Sequence, residues 1–363
     1  TMRHVFVNSI ILDDNTTATA LALYDTMNRV NPGLESLTIY GDVTFPKDIA
    51  VRSAKTLHTL VITDQGTAQL RKLMGSVREW GNNGGSLHKL RLEKCKFGNE
   101  AVDFGSCDAL TKLYIQDCSS TLCTTPGDSL GCTRLLWGIL PKCKNLKKFT
   151  KHSLASAGVE FPLNDLDLCL LARFCPHLTL LSIYSPPGTF NEAALVSVAM
   201  KCTKLETLRL LLKTALSDRT IEAVAANLVS LQVLFIKELQ LDNPRTLRLL
   251  AHSCPNLQKL CIYEGNMAET ELLYLVESAK KLQVLTIGKW KHLDLRERWE
   301  IQPFAAEDLL QLGIVDPEAL LSSQRDRLQV LKAPTQQAGD TDTADRLQAA
   351  SSHPRFKVKL QDW

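Results

Sequence analysis

The chain has 363 residues, 45% of them hydrophobic and 22% charged, with a formal net charge of +3. That composition supplies ample core material for a globular protein, and so small a charge does not by itself imply nucleic acid, since duplex binders usually carry a concentrated basic stripe. No run of about 18 uninterrupted apolar residues is present, so no membrane-spanning helix is expected.

In chain order, Met2–Val7 reads as an initial strand, and a helix is predicted over Thr17–Val30. A motif Leu-x-x-Leu-x-(Leu/Ile) then recurs along most of the chain. It appears as Leu34-Leu37-Ile39, Leu57-Leu60-Ile62, Leu87-Leu90-Leu92 and Leu110-Leu113-Ile115. A degenerate copy follows at Leu146-Phe149. The last five copies begin at Leu178, Leu205, Leu231, Leu257 and Leu282, with steps of 27, 26, 26 and 25 residues. Earlier steps are uneven, which predicts loop insertions at 119–142 and 152–164.

Between the strand motifs the apolar period changes from two to 3.6. Ile221, Val224, Ala225 and Leu228 share a helical face, and Leu247, Leu249, Leu250 and Ala251 form the apolar set of the next helix. Asp218 and Asp242 or Asn243 are predicted N-caps, and Pro244 suits a first helical turn. Each unit is therefore a strand followed by a helix, and only stacking of units buries its apolar side. The predicted fold is α/β: a leucine-rich-repeat solenoid, a horseshoe with parallel strands on its concave face and helices on its convex face. Residues 1–290 form an array of about ten repeats, and 291–363 an irregular C-terminal region. In that region Leu328–Leu331 reads as a late strand, Ala333–Ser352 as a flexible loop, and 356–360 as a strand capping the array's open edge.

The 11 cysteines are an odd number in apolar contexts, which fits reduced thiols and a cytoplasmic or nuclear protein. Cys107, Cys143, Cys175, Cys202 and Cys254 each stand three residues before a motif's first Leu. Free cysteine is a compact hydrophobe, suited to a helix end packed against the next strand. Cys95 and Cys118 fall where the chain should turn out of its strand. Leu110-x-x-Leu113-x-Ile115-x-x-Cys118 and Phe174-Cys175-Pro176-His177-Leu178 resemble the cysteine-containing class of leucine-rich repeats. That resemblance implies a ribonuclease-inhibitor-like horseshoe, as in the substrate-receiving part of F-box ubiquitin-ligase subunits. It also implies an association with a cullin-adaptor complex. The F-box itself is not seen in these residues.

Strand leucines pointing inward leave the intervening side chains on the concave side. There Lys89, Arg91, Lys112 and Lys148 form a predicted basic patch. Tyr40, Tyr114, Tyr184, Phe235 and Tyr263 add aromatic surface, with Arg209 and Lys237 beside them. Aromatic residues and arginine anchor protein interfaces, although half-buried strand faces also accept Tyr and Lys as ordinary cross-strand pairs. The patch suits a protein partner presenting an acidic or phosphorylated segment. It also suits RNA in a structural subunit of a large assembly, but the near-neutral charge and four clustered cations favour protein.

No enzyme is expected. Gly127-Asp128-Ser129-Leu130-Gly131 matches a serine-nucleophile elbow, yet no Asp-x-x-His follows to activate Ser129. Among Cys118, Cys123, Cys132 and Cys143, with His152 nearby, the pair Cys118/Cys123 is separated by four residues, at the limit of structural-zinc spacing, and two of the four cysteines are explained by repeat packing. Gly81–Gly85 lacks the Gly-Lys-Ser/Thr ending of a phosphate-binding loop. Neither a metal nor a cofactor is expected.

Overall fold

A computed structural model describes residues 9–12, 35–41, 55–82, 85–98, 105–120, 130–152, 163–185, 191–212, 215–243, 245–266, 275, 278–290 and 330–332. Among the described residues twelve strands line one continuous sheet in chain order, all parallel. They are β1 (Ser9–Leu12), β2 (Ser36–Tyr40), β3 (Thr59–Thr63), β4 (Lys89–Glu93), β6 (Lys112–Gln116) and β8 (Lys148–His152). There follow β9 (Leu180–Ser185), β10 (Thr207–Leu212), β11 (Val233–Gln240), β12 (Lys259–Asn266), β13 (Val284–Trp290) and β14 (Val330–Lys332). Two short strands, β5 (Lys96–Phe97) and β7 (Ser119–Ser120), pair separately.

The motif leucines stack rung on rung. Leu90 is opposite Leu113, Leu113 opposite Phe149, Phe149 opposite Leu181, and the file continues through Leu208, Leu234, Leu260 and Leu285. From Leu90 to Leu260 these side chains are at most 4% exposed. The initial strand read at Met2–Val7 lies outside the described residues. The first described strand is Ser9–Leu12, whose Ile10 and Leu12 pair with Leu37 and Ile39.

Helices close the repeats on the other side: α1 (Thr67–Asn82), α2 (Leu130–Ile139), α3 (Asp165–Phe174), α4 (Glu192–Lys201), α5 (Asp218–Asn227) and α6 (Arg245–Ser253). From α2 onward each packs on the next. Strands repeat at about 4.8 Å and packed helices at about 8–10 Å, so the helical side is the longer and the sheet becomes the concave wall. The protein is thus an α/β leucine-rich-repeat solenoid. The stretch read as an insertion at 119–142 holds β7, α2 and a 3-10 turn, Leu140–Lys142. Its described helix lies on the convex side of its own repeat, with Leu135, Leu136 and Ile139 buried in the core. The 153–162 part of the second insertion, the segment 17–30 and the strand at 356–360 lie outside the described residues, as does Gly127–Ser129.

The cysteine slot has a definite backbone role. Cys143, Cys175, Cys202 and Cys254 each end their helical segment, donating N–H to a carbonyl of its last turn. Each also accepts, on its own carbonyl, the N–H of the first motif Leu three residues on. One small buried residue thereby links helix end to strand start, satisfying groups that a helix terminus leaves open. Leu228 fills the same slot after α5 with the same two bonds, so in that repeat the slot holds a larger side chain. At the other end of the strands, Asp64, Lys94 and Asp117 take left-handed φ values of 55°, 49° and 48°. Those turns aim Gln65, Cys95 and Cys118 back into the core. Gly105 shares that conformation at φ 66°, and a Cβ there would stand 2.5 Å from the Arg78 carbonyl of α1.

Candidate functional site

The concave face carries its outward side chains in three files that cross the strands. The first runs Thr59, Lys89, Lys112, Lys148, Leu180, Thr207, Val233 and Lys259. Lys89, Lys112 and Lys148 are therefore direct neighbours on β4, β6 and β8, one strand spacing of about 4.8 Å apart at the backbone. All three are half-buried. Lysine stems lie along the sheet and lift their ammonium groups to solvent. Like charges directly opposite are unfavourable in a sheet, so this row costs stability. The Lys89 ammonium stands 5.6 Å from the centre of the Tyr114 ring, which orients both.

The second file places Arg91 beside Tyr114, then Thr150, Ser182, Arg209, Phe235 and Cys261. Arg91 is not a free member of the basic patch. Its guanidinium forms an ion pair with Glu93, two residues along the same strand face, and donates to Gln116 Oε1 at 3.2 Å. Arg209 is exposed between Ser182 and Phe235. The rings of Phe235 and Tyr263 meet at 4.9 Å and 44°. Burial, with Cys261 nearby, raises the Tyr263 phenol above its usual pKa. Lys237 follows Phe235 on β11, half-buried.

The third file runs Tyr40, Thr63, Glu93, Gln116, His152, Tyr184 and Leu211. Tyr40 is 43% exposed at the end of β2. His152 Nε2 and Ser182 Oγ are hydrogen bonded at 3.2 Å. Burial and then the Lys151 charge hold the imidazole below its ordinary pKa.

The predicted residues therefore fall into two groups. Lys89, Lys112, Lys148 and Tyr114 cluster on β4–β8. Arg209, Phe235, Lys237 and Tyr263 cluster on β10–β12, about 19 Å further along at four strand steps from β6 to β11. Tyr184 lies between the groups, and Tyr40 stands two strands before the first. Lys259, exposed in the same file as the lysine row, adjoins the second group and was not singled out from sequence.

Behind the lysine row the core holds a lysine. Lys151 occupies the slot filled by Ile115 and Ile183 in the neighbouring strands and is 1% exposed. The ionisable groups it influences include Cys118 and Asp167. Burial works to raise the Cys118 thiol, but the hydrogen bond with Cys95 and the Lys151 charge outweigh it and hold its pKa low. Asp167 closes a capping box at the start of α3. Its Oδ2 accepts from Asn164 N–H at 2.8 Å and its own N–H donates to Asn164 Oδ1 at 2.9 Å. Burial raises its pKa to about 7. The sequence signal for this site was the Lys at 151 where the motif calls for Leu or Ile.

Cys118 and Cys143 do not converge. Cys118 follows β6 and Cys143 precedes β8, at opposite ends of five-residue strands about 17 Å long. Among the described residues no group of three or more His, Cys, Asp or Glu is placed to hold a metal, and no helix is long and apolar enough to cross a membrane.

No family model matches the sequence, and no curated protein matches it. Among solved structures, an internalin from Listeria monocytogenes str. 4b F2365 is similar with a TM-score of 0.39 at 13% identity. The similarity covers 72% of this chain and 76% of the internalin chain.

Proposed function

We propose that this solenoid is a non-enzymatic interaction scaffold that holds a protein partner on its concave face. The partner presents an acidic or phosphorylated segment to Lys89, Lys112 and Lys148, and its further contacts reach the Phe235–Tyr263 pair. The observation that carries this reading is the row of three lysines in register on adjacent strands. A folded protein gains nothing from aligning like charges, whereas carboxylates or a phosphate bridging them form charge-assisted hydrogen bonds. A rigid sheet also limits the ordering cost of binding.

Within that reading, the cysteine-containing repeats support a role as the recognition arm of a ubiquitin ligase, joined to a cullin-adaptor complex in the cytoplasm or nucleus. Buried cysteines used as small hydrophobes at the helix caps fit such a compartment. Affinity purification of the full-length protein followed by mass spectrometry tests both levels. Recovery of a partner with an acidic segment supports the scaffold, and cullin adaptors among the recovered proteins support the ligase arm. The competing reading, a subunit contacting RNA through the same lysines, predicts nuclease-sensitive recovery. It also predicts a steep linear fall of log affinity with log salt.

A further inference from the structure

We propose that the edge of the solenoid where helices end and strands begin, across the repeats capped by Cys143, Cys175 and Cys202, is a second docking surface. It takes an acidic protein segment that carries an apolar anchor.

The charge distribution is the first observation. From Leu130 to His152 the chain holds Arg134, Lys142, Lys144, Lys147, Lys148 and Lys151, and no Asp or Glu. Lys151 is interior and Lys148 faces the concave side, while Lys144 and Lys147 are exposed at the edge. The following two repeats bring Arg173 and Lys201 at the ends of α3 and α4, and Lys204 beyond. Backbone bonds fix the alignment: Lys147 N–H donates to the Thr111 carbonyl, Thr179 N–H to that of Lys147, and Glu206 N–H to that of Thr179. Asp108 and Glu206 are the carboxylates at the two ends of this cationic stretch. Lys204 Nζ is 3.2 Å from His177 Nδ1, which draws the later repeats into the same surface.

Exposed apolar surface is the second observation. Trp137 is 57% exposed and Met200 56%. Trp137 meets Phe174 edge-on at 6.5 Å, and the Arg173 guanidinium lies 5.4 Å from the centre of the Phe174 ring. Cations in a last helical turn complement the helix dipole, which accounts for Lys142, Arg173 and Lys201. It does not account for Lys144, Lys147 and Lys204, which follow the helices, nor for an open tryptophan among them. Single-stranded nucleic acid would need successive free ring faces, and here Arg173 already occupies that of Phe174. Trp, Met and Arg are enriched at protein interfaces, so carboxylates on the lysines with an apolar residue on Trp137 is the better complement. This surface is separate from the concave lysine row, and either can fail without the other.

The test uses the full chain and a peptide of Glu and Asp residues with a central Leu, read by tryptophan emission. The peptide is expected to shift the emission, and Trp137→Phe to abolish that shift. Lys144→Glu with Lys147→Glu and Lys204→Glu is expected to weaken binding by about tenfold or more at low salt, with the circular dichroism spectrum unchanged. Lys89→Glu with Lys112→Glu is expected to leave the shift intact. The proposal is overturned by any of three results: no Trp137-dependent shift in the wild type, equal affinity in the triple variant, or tighter binding of single-stranded RNA or phosphatidylserine vesicles than of the peptide.

Discussion

The thiol of Cys202 donates to the backbone carbonyl of Cys175, 3.5 Å away in the preceding repeat. Cys254 does the same to the carbonyl of Leu228 at 3.6 Å. The helix-capping residues of neighbouring repeats are thus bonded to one another as well as to their own helix and strand. Burial raises the pKa of both thiols in the first pair to about 12, so at neutral pH they are uncharged donors. Replacing Cys202 by Leu overfills a site that is 0% exposed and should cost about 1–3 kcal/mol. A lower urea midpoint for Cys202→Leu, with Cys202→Ala closer to wild type, is the expected result.

Asp167 gives the solenoid a pH dependence of definite sign. Its folded pKa is raised from 3.8 to about 7 by burial. Between those values the unfolded carboxyl has ionised while the folded one remains protonated. The stability it confers is therefore complete below pH 3.8 and is lost as pH rises towards 7. The loss is at most on the order of 4 kcal/mol. Asp167→Asn retains an oxygen to accept from Asn164 N–H and does not ionise. Urea titrations across that range should show wild type losing stability relative to Asp167→Asn as pH rises, and parallel curves would refute the assignment.

A carboxylate in the first turn of one helix ties down the approach to the next. Asp218 accepts the N–H groups of Asp242 at 2.8 Å and Asn243 at 3.1 Å, and also the Thr246 hydroxyl. Asp165 does likewise for Asn191, with N–H to Oδ1 at 2.6 Å. Burial acts to raise the Asp218 pKa, but these hydrogen bonds prevail and hold it low. Asp218→Ala should cost about 1–2 kcal/mol. It should also speed amide exchange at Asp242 and Asn243 while leaving α3 unchanged, which hydrogen exchange can resolve.

Gly105 brings a strand lead-in close against the backbone of α1. Its left-handed φ and the 2.5 Å gap to the Arg78 carbonyl exclude a side chain. Gly105→Ala should destabilise by more than about 1 kcal/mol, seen as a lower thermal midpoint. Gly75→Ala, in α1 with open space around it, should instead be neutral or stabilising.

The rungs were legible in the sequence because Leu113, Leu181 and Leu234 recur at nearly fixed spacing, and a parallel stack converts spacing directly into register. The cysteine slot was legible for the same reason, though Leu228 shows that the backbone linkage rather than compactness defines it. Helix α2 was not, since its apolar residues follow a Gly, Ser and Pro stretch that reads as loop. The cap of α5 was misplaced by one residue: Ser217 is the N-cap, and Asp218 serves the next repeat. That bond joins residues 24 apart, beyond the reach of local capping rules. The basic patch was overcounted because Arg91 and Glu93, two apart on a strand, share a face and neutralise each other. Residue type alone does not disclose such pairing.

The concave lysine row is most directly tested by calorimetry. A partner recovered with the full-length protein would be titrated into wild type and into Lys89→Glu with Lys112→Glu, with thermal midpoints measured alongside. The predicted result is a loss of affinity of about tenfold or more at an unchanged midpoint. Equal affinity in the two proteins, with both fully folded, would contradict it.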